Sequence, residues 1–174
     1  MGAIGSIIAT TLKRTLGYSD GLYKDIKAGD AARFARPGGQ LVVSNHPSFV
    51  LGHLCLYPSR CLELTGHPGH ASYVYPGFDE LFKPGVECKD DASGAVYPAY
   101  AELLQRYKSA HGALLEALPA VADEVMGRPN PNEANRERFP TVGALVSFLA
   151  TGHMMMHLGQ VSAWRRMMGM PAAG

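Results

Sequence analysis

Residues 142–168 constrain what this chain can fold into more than any other stretch. Thr141, after Pro140, is a ready N-cap, and Gly169 and Pro171 give a stop in the usual order. Arg165 and Arg166 fall in the last turns, where positive charge complements a helix dipole. The spacing predicts one long helix, with Phe148, Leu149, Leu158 and Val161 on or near its apolar face. A helix of that length is stable in water only when other elements bury that face. It therefore calls for helical partners.

Three such partners can be read. Residues 5–25 predict a first helix, with Ile7, Ile8, Leu12, Leu16, Leu22 and Ile26 as a rough apolar stripe that Gly17 and Gly21 interrupt. A second begins at Pro47, with Asn45 or His46 near its cap. It carries Phe49, Val50, His53, Leu54, Leu56 and Tyr57 until Pro58 kinks or ends it. Residues 98–124 give the clearest pattern, with Tyr100, Leu103, Leu104, Tyr107, Leu114, Leu115 and Leu118 at helical spacing. Between the second and third helices, over residues 65–96, periodicity fails among repeated Gly and Pro. Tyr73, Tyr75, Phe78 and Phe82 can bury area there, so the stretch reads as an ordered covering loop. Leu41-Val42-Val43 is β-branched enough for a short extended entry, but no strand alternation follows. The expectation is an all-α helical bundle, residues 1–174 forming a single domain.

Composition narrows the partners. With 16 Lys+Arg against 15 Asp+Glu the net charge is +1, which disfavours nucleic acid and an anionic membrane surface. A hydrophobic share of 47% with 18% charged residues is globular, not disordered. Cys55, Cys61 and Cys88 are too few and too irregularly spaced for a disulfide framework, so a reducing cytoplasm is the simplest compartment. No export or membrane segment stands out. Met1-Gly2 with Ser6 fits a loose myristoylation pattern, but no second anchor follows, and the stretch reads as a first helical turn.

The chemistry concentrates in His153 and His157. At i and i+4 on a helix, their β-carbons lie about 6 Å apart on one face, so two imidazoles can converge on one metal. No Glu follows His153, so the general base of HExxH proteases is missing. Two inward-facing imidazoles without partners would leave polar nitrogens unsatisfied, and a metal satisfies both. His53, on the apolar stripe of the second helix, is the best third ligand; the alternative is a core histidine bonded to a carbonyl or a tyrosine. His46 reads as a cap or pocket-mouth residue, His67 and His70 as solvated loop residues, and His111 as packing or surface. Gln160 could reach the pocket as a hydrogen-bond donor or remain a surface polar group. Trp164 reads as core, Met154, Met155 and Met156 as packing, and Cys55 and Cys61 as buried small hydrophobes. Asp79-Glu80 reads as a turn and cap before a base above the metal.

These residues carry a family likeness. Asn45-His46-Pro47 leading into Leu51-Gly52-His53-Leu54, with His153-x3-His157-Leu158-Gly159-Gln160 and Trp164-Arg165-Arg166, resembles the DinB superfamily in its second- and fourth-helix signatures. The resemblance implies a four-helix bundle of up-down-down-up type. It also implies a divalent metal, zinc or nickel, held by His53, His153 and His157. Activities in that superfamily are thiol-linked transfers and isomerisations using low-molecular-weight thiols such as mycothiol or bacillithiol. The expectation is therefore a thiol-dependent S-transferase or isomerase acting on a small molecule, possible as a homodimer. The alternatives are a metal-dependent hydrolase, a non-catalytic metal- or ligand-binding bundle, and a haem bundle.

Overall fold

A computed structural model describes residues 2–173. The first helix, α1 (Ala3–Tyr23), has no side-chain cap of its own at Gly2. Asp123 supplies one from far along the chain, its carboxylate accepting from the N–H groups of Ala3 and Ile4. An acidic group at a helix start also complements the dipole. Ile8, Leu12 and Leu22 are buried, whereas Ile7 faces solvent at 68% exposure and leaves the expected stripe. Gly5 is buried because a Cβ there would run into the Leu118 carbonyl.

The second helical region is two helices, α2 (Pro47–Leu54) and α3 (Leu56–Leu64), joined at Cys55. The break falls where Pro58 dictates it, since Pro58 has no N–H to bond the Leu54 carbonyl four residues back. Pro58 lies in the first turn of α3, where a missing N–H costs no helical bond. His46 is the N-cap of α2: its Nδ1 accepts from the Phe49 N–H, and its Nε2–H donates to the Lys89 carbonyl. It is fully buried, so it closes the helix end and does not stand at a pocket mouth.

Residues 65–96 hold a short 3₁₀ turn (His70–Tyr73) and a one-turn helix, α4 (Phe78–Phe82). Phe78 and Phe82 are buried, and Tyr73 and Tyr75 pack half-buried against the core. Arg33 fastens the far end of this segment through a paired contact with Asp90, whose carboxyl it holds down at about 2. Next come α5 (Tyr100–Ala117) and α6 (Asp123–Met126), separated by a 3₁₀ turn that contains Pro119. The expected helix over 98–124 is thus shorter, because Pro119 cannot supply the next helical N–H.

The last helical region runs through α7 (Val142–Ser147), a π-turn (Phe148–Gly152) and α8 (His153–Met167). Thr141 Oγ1 caps it, accepting from the Ala144 N–H. Among the described residues it is the one helical stretch long and apolar enough to cross a membrane by length and composition. In this fold Val146, Leu149, Met154, Leu158, Val161 and Trp164 are buried in the protein core. That core lies where α1 and α2 pack on α5 and α8, with α3 against α5. The architecture is all-α: among the described residues there is no strand, only isolated bridges pairing Ala35 with Val42 and Pro129 with Thr141.

Trp164 and Arg165 explain part of the terminal motif without chemistry. The Trp164 indole N–H donates to the Arg33 carbonyl. Arg165 is buried, and its guanidinium donates to the carbonyls of Leu22, Lys24 and Pro171. It therefore caps the end of α1 across the core, and does not merely complement its own helix dipole.

Candidate metal centre

Three elements bring His53, His153 and His157 together. His53 lies in the last turn of α2, His153 opens α8 directly after the π-turn, and His157 follows one turn on. A π-turn adds a residue to the helix and re-aims the side chains beyond it, a device common at functional sites. His153 Nε2 lies 3.1 Å from His157 Nε2 and 3.4 Å from His53 Nε2. One nitrogen from each ring falls within 4.8 Å of the others. Zinc–imidazole bonds of about 2.0–2.1 Å in a tetrahedral site put ligand nitrogens roughly 3.3–3.4 Å apart, so the spacing fits one such ion.

Hydrogen bonds fix which nitrogens face inward. His53 Nδ1–H donates to the Phe82 carbonyl at 2.7 Å, leaving Nε2 with its lone pair. His157 Nδ1–H donates to Gln160 Oε1 at 3.1 Å, and Asn45 Nδ2 donates to the same oxygen. Outer partners of this kind hold ligating histidines in one tautomer. His153 Nδ1 is buried without a partner. With its proton there, His153 turns a third lone pair toward the other two, an arrangement that a shared cation relieves.

Electrostatics favours neutral rings. Burial lowers the pKa of all three, and His153 is pushed down to about 4 by burial and then by its two neighbours. Metal ligation requires the neutral form. Tyr57 Oη lies 3.1 Å from His53 Nε2, and burial pushes its pKa up to about 12, so it stays a neutral O–H donor beside the cluster.

The histidines line a cavity of about 400 Å³ with Phe49, Tyr57, Phe148 and Met156. Among the described residues no Asp or Glu lines it. Asp79 and Glu80 are exposed in the first turn of α4, away from this lining. Gln160 is exposed and outside the lining too, and acts as acceptor for His157. Met154 is core, whereas Met155 and Met156 are 43% and 65% exposed, and Met156 reaches the cavity. Cys55 and Cys61 are buried, and their thiols are pushed up to about 12 by that burial. His111 is buried and donates from Nδ1–H to the Tyr107 carbonyl. His67 and His70 stand clear of the cavity.

Sequence reasoning allowed His53 a carbonyl or a tyrosine as partner, and the structure supplies both, the Phe82 carbonyl and Tyr57, neither of which it had named for the site. Tyr57 lies one helical turn after His53, which is a usable signal. The Phe82 carbonyl gives none, because a backbone group has no residue type. No curated protein and no solved structure matches the chain. The family model described as the DinB superfamily matches residues 10–161, a span that includes all three histidines together with α2 and α5; the chain belongs to the DinB superfamily.

Proposed function

We propose that His53, His153 and His157 hold one divalent metal ion, zinc or nickel, and that the protein is a thiol-dependent transferase or isomerase acting on a small molecule. The convergence of three ring nitrogens at an open cavity carries this reading. Three neutral imidazoles would leave a bound cation its full charge, and such a cation would favour the ionised form of a thiol. The residues of the chain do the rest. The Phe82 carbonyl and Gln160 fix two rings, Tyr57 offers a proton or hydrogen bond at the cluster, and Phe49 and Phe148 limit water.

The acid-free lining supports a thiol over a hydrolytic water, since a water nucleophile benefits from a carboxylate base and a thiol does not need one. We also read the four helices of a DinB bundle as α1, α2–α3, α5 and α7–α8, in up-down-down-up order. The free buried cysteines suit a cytoplasmic location. The test pairs metal analysis with spectroscopy. His153→Ala should lose most of its metal, and low-molecular-weight thiols should add charge-transfer bands to the cobalt-substituted protein. Full metal retention by all three single alanine variants would sink the site. Unchanged spectra across the thiols, with measurable thiol-free ester hydrolysis, would decide for a hydrolase.

A further inference from the structure

The cavity over the histidines has two cationic side chains in its lining, Lys83 and Arg138, and no anionic one. Both are exposed and come from separate loops. Lys83 directly follows Phe82, whose carbonyl holds His53, and its backbone N–H closes α4 on Asp79. Its stem therefore starts from a fixed point beside the cluster. Arg138 is held differently from four other arginines of the chain. Arg33, Arg36, Arg106 and Arg136 each pair with a carboxylate. The Arg138 guanidinium instead lies over two rings, 5.3 Å from the centre of Phe139 and 5.8 Å from that of Phe148. Phe148 lines the same cavity and packs 5.7 Å, centre to centre, from His153. The stacking keeps the guanidinium at the cavity edge while its N–H groups stay free of any ion pair among the described residues.

Surface cations in proteins usually meet carboxylates or water. Two of them bordering a cavity with no Asp or Glu among its described lining residues leave a positive field there that nothing in the lining offsets. Phe49, Val86, Phe148 and Met156 supply apolar wall in the same space. At about 400 Å³ the cavity falls in the range of small-molecule sites.

We propose that Lys83 and Arg138 form an anion clamp that selects small molecules with a carboxylate, or another compact anionic group, on an apolar body. The clamp rests on the proposed function only in taking this cavity as the substrate site. Calorimetric titration of the zinc-loaded protein with 3-phenylpropionate and with its neutral amide tests it. The acid should bind at least about tenfold tighter than the amide. In Lys83→Gln/Arg138→Gln the acid should fall to the level of the amide while amide binding holds. Both side chains are exposed, so the variant keeps the core; circular dichroism and metal content check this. Equal binding of acid and amide by the native protein overturns the clamp, as does no binding of either. An acid preference that survives in the double variant also overturns it and assigns the preference to the metal. The two readings separate in the cobalt protein with 2-mercaptoethanol. Silent spectra alongside a clamp-dependent acid preference keep the clamp and sink the thiol chemistry, and thiol bands without an acid preference do the reverse.

Discussion

Gln160 shows how an exposed residue can control a half-buried one. Its oxygen is the acceptor that turns His157 Nε2 toward the cluster, and Asn45 orients that oxygen in turn. Gln160→Leu should keep the fold yet weaken metal binding about 10- to 100-fold, the usual cost of losing such a partner. Competition with a chromogenic chelator measures this, and unchanged affinity would assign Gln160 to the surface alone. His111 makes a different contribution. Burial pushes it down to about 4, from about 6.5 in an unfolded chain. The unfolded state then binds more protons than the native state between those values, so stability is present above about pH 6.5 and is lost as pH falls toward 4. His111→Leu should flatten that acid limb in urea titrations of the metal-free protein. Parallel curves for native and variant would show that His111 does not titrate in folding. The i, i+4 histidine pair was legible in the sequence because helical spacing alone puts both on one face. The role of Gln160 was not, because the same residue can donate or accept, and only the position of Asn45 decides between them.

Between elements, α2 meets α4 at Gly52, where a Cβ would overlap the Phe82 ring. Phe82 is fully buried and cannot swing away cheaply. Gly52→Ala should therefore destabilise by about 1–3 kcal/mol. Because the Phe82 carbonyl also holds His53, metal affinity should fall with it. Denaturant melts and the chelator assay read the two effects separately. Arg165 ties α8 to the end of α1, and Arg165→Met would leave the carbonyls of Leu22 and Lys24 without that donor. A loss of about 2–4 kcal/mol is expected, against little change for the exposed Arg166→Met. Equal effects would remove the special role of Arg165. The same residues mark what could be read beforehand. Apolar period gives α1, the start of α5 and, with the Thr141 cap, the last helical stretch to within a few residues, whereas Pro119 ends α5 earlier than the period alone predicts. The joint at Cys55 was legible from Pro58, which has no N–H to bond the Leu54 carbonyl four residues back, whereas the π-turn carries no composition signal.

At the level of the whole molecule, the apolar core built on Leu12, Leu51, Leu103, Tyr107 and Trp164 does not include the three histidines proposed to hold the metal. Chelation should lower the melting temperature in proportion to metal affinity while the helical spectrum survives at room temperature. Loss of helicity in EDTA would show that the core cannot stand alone. The long segment 65–96 was legible as ordered from its aromatics, whereas its anchorage through Asp90 to Arg33, and from Arg33 to Trp164, depends on pairings far apart in the chain. The π-turn at Phe148–Gly152 has a further consequence. His153, His157, Trp164 and Arg165 all lie on one unbroken α-helical stretch beyond it, whereas the Thr141 cap and α7 lie before it. The bearing of the two imidazoles is thus set from the far end, by the docking of Trp164 and Arg165, and the wide turn behaves as a slip joint that takes up differences of phase. A residue inserted within 142–147 should be absorbed there, with metal content kept. A residue inserted within 158–163 leaves no joint between anchor and ligands, and should swing the pair through about 100° on the helix axis, away from His53.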